Sequence, residues 1–282
     1  MTLLFTALAL LSAVLHATWS ALAYRFPDQA IGFSCMSAIS VVVGVVLVAI
    51  EPAVGGHAVP FLAASVALHA GYIVALTRLN RLAQFSQLYP LSRGLSPVLI
   101  AIAAPVVARD RLSAGAVLGL GIVILGIVLV AGARIDTGRV GARSVGGALL
   151  VGLTIASYTV VDGLGVRAAA SVPAFIGYLA IGQGILAPAI MVATGATSLA
   201  AIRREGRWAR AVVVGGLSAA SYALMIWAQT LGPLAVAAAL RETSIVFATL
   251  IGIVVLREDA GARKLVAAGV IVLGIVVLQR AA

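Results

Sequence analysis

Long apolar runs alternate with short polar breaks along the whole chain. A helix needs about 20 mostly apolar residues to cross the hydrocarbon core of a bilayer. Ten runs approach that length, over roughly 2–24, 29–50, 59–79, 84–108, 113–133, 145–166, 172–197, 210–229, 233–256 and 264–279. The breaks carry turn chemistry: Pro27-Asp28, Pro52 with Gly55-Gly56, and the stretch from Gly138 to Gly141. The first run lacks a basic leader and is long enough to span, so it reads as a retained helix and not as a cleaved signal. The pattern predicts an all-α integral membrane protein of ten transmembrane helices, with no room for a soluble domain.

The fourth run is interrupted by Tyr89-Pro-Leu-Ser-Arg-Gly-Leu-Ser-Pro97, which sets an arginine and two prolines at membrane depth. Setting Arg93 on Arg241 brings Ser96 onto Ser244, Val98 onto Val246, Arg109 onto Arg257 and Asp110 onto Glu258. With no gap, Gly121 then falls on Gly269 and Gly126 on Gly274. The chain therefore reads as a duplication: a first repeat over 1–133, a linker over 134–144 and a second repeat over 145–282. Five helices per half is an odd number, so the halves lie inverted, the arrangement by which many carriers place a solute site near the midplane.

Composition changes the picture in a few respects. Hydrophobic residues fill 62% of 282 positions and charged ones 10%, which excludes a soluble globular domain. The net charge of +10 could suggest nucleic acid, but nearly all basic residues are arginines in short loops, where headgroups and orientation account for them. Alternate loops on one side hold most of them, Arg78, Arg81, Arg134, Arg203 and Arg204 included. The other side holds Arg109, Arg111, Arg167 and Arg280. The bias predicts both termini outside the cytoplasm. Cys35 is the lone cysteine, which rules out an intramolecular disulfide, a cysteine zinc site and a thiol pair. Abundant alanine and arginine with one lysine, Lys264, suggests a bacterium with GC-rich DNA, hence its plasma (inner) membrane.

The stretch from Tyr89 to Pro97, with the hairpins Ala108-Arg-Asp-Arg-Leu112 through Gly126 and Leu256-Arg-Glu-Asp259 through Gly274, resembles the drug/metabolite transporter superfamily. More narrowly, it resembles proteins built from two EamA-type repeats, over nearly the whole chain. That family usually shows Gly-Glu at the hairpin turn; Arg109-Asp110 and Arg257-Glu258 keep the acid and lose the glycine. The resemblance implies a ten-helix, inverted-repeat carrier of small organic solutes and no particular substrate. It also implies termini in the cytoplasm, as such proteins are commonly drawn, against the arginine bias.

The candidate chemistry is polar groups inside apolar runs. Arg93 and Arg241 lie about 12 Å below the interface at 1.5 Å per residue. A charge near the bilayer centre costs ~3 kcal/mol on insertion scales. The two guanidinium groups suit bidentate capture of carboxylate or phosphate; the alternative is that they bind carbonyls freed near Pro90, Gly94 or Pro97. Ser96 and Ser244 accompany them as solute-binding candidates. Glu242 is a candidate coupling-proton site or a counter-ion for Arg93 or Arg241. Asp162 is a second proton-coupling candidate, although its place before Gly163-Leu-Gly165 favours an interfacial turn.

His16 and His69 lie one turn before Trp19 and Tyr72, and these four are candidates for solute binding or, for the histidines, proton relay; interhelical hydrogen bonding is the other reading. Tyr89, Tyr158, Tyr222 and Trp227 fall inside runs and suit the walls of a pocket or ordinary packing. Gly115, Gly119, Gly121, Gly126, Gly269 and Gly274 suggest close helix contacts. No metal site, cofactor motif, nucleophile motif or Walker sequence occurs, which disfavours an enzyme or an ATP-driven pump. The reading is a secondary transporter of a small organic metabolite, anionic or zwitterionic in one version, working by alternating access. Its partners are the solute, the bilayer and protons, with no nucleic acid, as a monomer or homodimer. A lipid-linked sugar or phospholipid flippase is the alternative within transport, a lipid-modifying membrane enzyme the alternative outside it, and a scaffold the third.

Overall fold

The computed structural model describes residues 2–23, 26, 28–82, 85–132, 142–204, 206–254 and 262–281, with the side chains of 29, 76–82, 85–94, 130–132, 142–144, 249, 252–254 and 262–264 outside that description. The described elements are helices: α1 (Leu3–Ala23), α2 (Gln29–Ile50), α3 (Val59–Leu82), α4 (Phe85–Val107), α5 (Ala114–Gly132), α6 (Ala142–Ala168), α7 (Val172–Ala193), α8 (Leu199–Arg204), α9 (Trp208–Leu231), α10 (Leu234–Glu242), α11 (Ser244–Val254) and α12 (Ala262–Arg280). Six segments, Leu3–Ala23, Ala30–Ile50, Gly56–Ala75, Val145–Ala168, Val172–Ala193 and Trp208–Leu231, are long and apolar enough to cross a membrane. Shorter apolar helices, Leu95–Val107, Ala114–Leu129 and Leu265–Arg280, accompany them. Val42, Val106, Leu118 and Leu273 are among many large apolar side chains left exposed on the bundle, as lipid-facing helices require.

Local chemistry sets the ends. Asp28 caps α2 by accepting from the backbone N–H of Ala30 at 2.8 Å and of Ile31 at 3.1 Å. Ser171 caps α7, with Pro173 in the first turn, where no N–H is needed. Two runs differ from the sequence expectation. The run predicted to reach 197 stops at Ala193, because Thr194 and the left-handed Gly195 (φ 70°) turn the chain into the short α8. The run predicted over 233–256 breaks at Thr243. Its N–H reaches Leu240 O at 3.2 Å and its hydroxyl reaches the same carbonyl at 2.6 Å, tightening one turn between α10 and α11.

The helices pair in a defined pattern: α5 on α12, α2 on α7, α1 on α9, α3 on α6, and α4 on α6. Glycines set the closest approaches. A Cβ on Gly119 would lie 2.7 Å from Leu278 N, and one on Gly126 would lie 2.9 Å from Ile271 N. The partner number falls as the α5 number rises, so α5 and α12 run antiparallel. The α2–α7 contact behaves the same way: a Cβ on Gly44 would lie 2.6 Å from Gly177 O, and one on Gly184 would lie 2.7 Å from Ser37 O. A Cβ on Gly121 or Gly269, both expected at such contacts, would meet nothing within 4 Å among the described residues. Two residues along a helix from Gly119 turn the position about 200° away, to the other face.

The two glycine classes should therefore respond oppositely to added bulk. Gly119→Val is expected to lose about 1–3 kcal/mol by overpacking against the α12 backbone. Gly121→Ala is expected to gain up to about 1 kcal/mol of helix propensity. Thermal unfolding of the detergent-purified protein checks both signs.

The largest core cluster gathers Phe5 and Ala9 of α1, Ile100 and Ala104 of α4, Val123 and Ile127 of α5, and every residue from Leu234 to Leu240. The sequence Leu234-Ala-Val-Ala-Ala-Ala-Leu240 is buried all round, and its small side chains let α1, α4 and α5 close on it. The next residues, Arg241 and Glu242, are thereby carried into the middle of the bundle.

Candidate functional site

Three helices bring polar groups to one buried point. On α3, Ser65, His69 and Tyr72 recur at helical spacing, one face of three successive turns. On α6, Ile155, Tyr158, Thr159 and Asp162 do the same. Tyr222 comes from α9, beside Ser221. The serines Ser12 and Ser221 exchange bonds between α1 and α9, each hydroxyl donating to the other's carbonyl at 2.7 and 2.8 Å, which fixes the turn that carries Tyr222.

Asp162 lies at the centre and is 1% exposed. This corrects the expectation of an interfacial turn: Asp162 sits inside α6, more than a turn before its end, because Gly163 and Gly165 pack tightly instead of breaking the helix. Leu234 covers Gly163, and Phe61 and Phe175 cover Gly165. The carboxylate accepts hydrogen bonds from the hydroxyls of Ser65, at Oδ1, and Tyr222, at Oδ2. His69 completes the cluster, with Nδ1 2.9 Å from the Ser65 carbonyl and 3.3 Å from its hydroxyl, and Nε2 3.1 Å from the Tyr222 hydroxyl. The His69 ring stacks on Tyr158 with centroids 4.0 Å apart, and Tyr72 meets Tyr158 edge-on at 5.9 Å.

A small cavity adjoins this cluster, lined by Ser96, Pro97, Ile100, Ile155, Tyr158, Thr159, Met225, Ala238, Arg241 and Glu242. Its volume is about 10 Å³, room for about one water. Ligand pockets for small organic molecules run to about 300 Å³ or more, so the bundle is closed around this point. The Arg241 guanidinium lies over the Tyr222 ring, 5.2 Å from its centroid, a cation–π contact that links cavity and cluster. Arg241 Nε is buried with no hydrogen-bond partner among the described residues. Glu242 is 5% exposed and shares the cavity wall.

The structure thus brings together Asp162, His69, Tyr72, Tyr158 and Tyr222, and sets Ser96, Arg241 and Glu242 beside them. It does not bring in all the candidates. His16 is buried and meets Trp19 edge-on at 5.0 Å, apart from the cavity lining. Trp227 is 45% exposed and lines neither cavity nor cluster. Ser244 is buried just beyond the Thr243 break, outside the cavity wall. The side chains of Arg93 and Tyr89 lie outside the described residues. Ser65, Thr159 and Met225 went unnoticed in the sequence. Ser65 had a signal, since it precedes His69 by one helical turn. Among the described residues no group of three or more His, Cys, Asp or Glu gathers to hold a metal ion.

A second polar cluster closes one end of the bundle. Arg167, at the end of α6, donates to Asp110 Oδ1 at 3.0 Å, to Gln229 O at 2.8 Å and to Gly232 O at 2.6 Å. Asp110 Oδ2 accepts from the backbone N–H of Leu234 at the start of α10. The preceding Arg109 has φ 55°, the left-handed region, at the position where the resembling family usually carries glycine. An L-residue there costs about 1–2 kcal/mol. Arg109→Gly is expected to raise stability by about 1 kcal/mol, net of the extra freedom glycine brings to the unfolded chain; an unchanged or lower melting midpoint would contradict it.

Comparison with known proteins bears on the fold and the family. A solved structure titled only as the crystal structure of a protein superposes with a TM-score of 0.78, covering 98% of this chain and 97% of that chain at 17% identity. At that identity the likeness is one of fold. No curated protein matches the chain in sequence. The fold and its apolar helices define a multi-pass helical membrane protein. The model of the EamA-like transporter family matches residues 143–280, the stretch that carries Asp162, Tyr222, Arg241 and Glu242. Residues 143–280 are thus similar to the EamA-like transporter family, the likeness already read from the sequence.

Proposed function

We propose that the chain is a secondary-active transporter of a small anionic or zwitterionic organic solute, working by alternating access, and not an enzyme. The observation that carries this reading is Arg241. Its guanidinium sits beside a closed cavity with a buried Nε that no described residue satisfies. An arginine held at membrane depth with donor capacity to spare suits a carboxylate or phosphate that arrives with the solute. Ser96, Tyr158 and Glu242 on the same wall would orient the rest of the solute. By the duplication, Arg93 is its counterpart from the first half.

The ten helices would form two inverted repeats over 1–133 and 145–282, joined by 134–144. Taking α1 to α5 as counterparts of α6, α7, α9, α10–α11 and α12 gives a test on contacts. The α1–α9 contact then exchanges with α3–α6, and α4–α6 with the packing of α1 on α10 and α11. The self-paired elements, α2 with α7 and α5 with α12, run antiparallel, as an inverted relation requires. A duplicated closure about the central cavity is what alternating access needs. The arginine bias of the loops supports termini outside the cytoplasm, in a bacterial plasma membrane.

The test is thermal stability of the detergent-purified protein against amino acids, organic phosphates, nucleotide sugars, polyprenyl phosphates and hydrophobic cations. A ligand at a hundred times its Kd stabilises by about 2.7 kcal/mol. A soluble anion or zwitterion that shifts the wild type and not Arg241→Gln is the expected result. A shift from polyprenyl phosphates alone would replace the reading with a flippase.

A further inference from the structure

Asp162, Tyr222 and His69 form a chain whose hydrogens can be counted. The Ser65 carbonyl can only accept, so His69 Nδ1, 2.9 Å away, carries a hydrogen and Nε2 is the variable position. Nε2 faces the Tyr222 oxygen at 3.1 Å, and the same oxygen faces Asp162 Oδ2. A tyrosine has one hydroxyl hydrogen and stands here between two acceptors. Ser65 donates to the other carboxylate oxygen and cannot serve both.

Two arrangements satisfy every contact. In the first, Asp162 is protonated and donates to Tyr222 O, and Tyr222 donates to His69 Nε2. In the second, Asp162 is ionised and accepts from Tyr222, and His69, protonated on both nitrogens, donates from Nε2 to Tyr222 O. The two hold the same number of protons. They interconvert when the Asp162 proton passes to Tyr222 O while the tyrosine hydrogen passes to Nε2, so charge moves between the ends and nothing is lost. With one proton fewer, the carboxylate and the Nε2 lone pair compete for a single hydrogen, and one contact sets lone pair against lone pair.

We propose that Asp162, Tyr222 and His69 make one proton-binding site, satisfied with a single shared proton and forced to open one of its contacts when that proton leaves. Its burial makes the opening consequential: Asp162 is 1% and His69 9% exposed, so bulk solvent does not reach the lost bond. The ionisable and polar groups facing it are Ser65 and Tyr72 from α3, Tyr158 from α6, and Arg241 with Glu242 across the cavity from α10. Two of these carry the state of the site to the solute cavity. Tyr158 stacks on His69 and lines the cavity, and Arg241 lies on the Tyr222 ring. Proton loss leaves the cluster more negative beside Arg241 and releases Tyr222 on α9 from either Asp162 on α6 or His69 on α3. The site deepens the transporter reading, on which only its use as a coupling site rests; the proton count stands on the three side chains alone.

The experiment uses the full chain in phosphatidylcholine vesicles, followed by infrared difference spectroscopy through a pH titration, with ring-¹³C histidine as the label. His69→Gln subtraction separates its ring signal from those of His16 and His57, and Asp162→Asn assigns the carboxyl band. The expected result is one step in which the Asp162 carboxyl or carboxylate bands and the His69 ring signal change together, with one proton released per chain. In Tyr222→Phe, which keeps both end groups and the aromatic ring, the two signals separate into independent steps. Carboxyl and ring signals that already titrate separately in the wild type would overturn the proposal without recourse to any variant. A joint step in a protein that binds no solute in the thermal panel would remove the transporter reading and leave the proton site standing. Solute binding with separate steps would do the reverse.

Discussion

Replacing Asp110 with alanine is expected to cost about 2 kcal/mol and to loosen the end of the bundle where α6 meets the α4–α5 and α9–α10 turns. The carboxylate there has two jobs. It accepts from Arg167 at 3.0 Å, and it accepts the N–H of Leu234, one of the unpaired donors at the start of α10. A buried donor left without a partner costs about 1–3 kcal/mol, and the lost interaction of the anion with the helix N-terminus adds up to ~1 kcal/mol. Breaking a fully buried ion pair would cost about 3–5 kcal/mol. The Arg167 side chain is 27% exposed, however, against 6% for Asp110. Water takes over part of the arginine's solvation, so the pair itself adds little. Asp110→Asn keeps an oxygen for Leu234 and should lose about half as much. Arg167→Lys keeps the charge but not the fork that spans Asp110, Gln229 O and Gly232 O, and should fall between the two. Thermal or denaturant unfolding in detergent reads all three; an alanine variant within about 0.5 kcal/mol of wild type would show that the cluster is a surface feature and nothing more.

That cluster also shows what a membrane sequence discloses and what it hides. Lengths and ends were legible, because the bilayer sets a length and caps have short signatures. The run at 29–50 coincides with α2, where Asp28 supplies the cap and Pro52 follows the last turn. Faces were much harder to read. In a soluble helix the apolar stripe marks the inside; in lipid both faces are apolar, so burial has no periodic signal. Gly119 and Gly121 look alike in sequence, yet a Cβ on the first would meet the α12 backbone and one on the second would meet open space among the described residues. Asp162 looked like the start of a turn because glycines follow it, and those glycines prove to be seats for Leu234 and Phe175.

The break at Thr243 was hidden for a related reason. Its cause is a hydroxyl and a backbone turn within the polar stretch Arg241-Glu-Thr-Ser244, set in a run that is otherwise apolar. The polar cluster was half legible. His69, Tyr72, Tyr158 and Tyr222 each stood out as polar atoms at membrane depth, and Asp162 as a candidate near the end of its run, but only helix packing could say that α3, α6 and α9 bring them to one point. Spacing alone would have added Ser65, one turn from His69.

A double-mutant cycle on Asp162 and Tyr222 should show the coupling within that cluster directly. Asp162→Ala removes the acceptor of two hydroxyls, Ser65 at 0% exposure and Tyr222. Interhelical hydrogen bonds in membranes average only about 0.6 kcal/mol and reach about 1.7, since the separated helices find other partners. A carboxyl group bonded to two hydroxyls lies at the upper end of such a range, and the groups it leaves unpaired bring the expected loss to about 2–3 kcal/mol. Tyr222→Phe leaves Asp162 and His69 without their shared hydroxyl and should cost about 1–2 kcal/mol. The double variant has no orphaned tyrosine hydroxyl, so its loss should fall short of the two single losses combined by about 1 kcal/mol or more. SDS-driven unfolding in mixed micelles measures each corner. Independent sites add within about 0.3–0.5 kcal/mol; additivity at that level would mean that the carboxylate and the phenol are neighbours without being partners. Coupling of the expected size would tie α6 to α9 through one hydrogen bond, at the same tyrosine that carries Arg241 on its ring. A change of proton or solute at either side of Tyr222 would then be felt at the other, because the ring and its hydroxyl move as one rigid body.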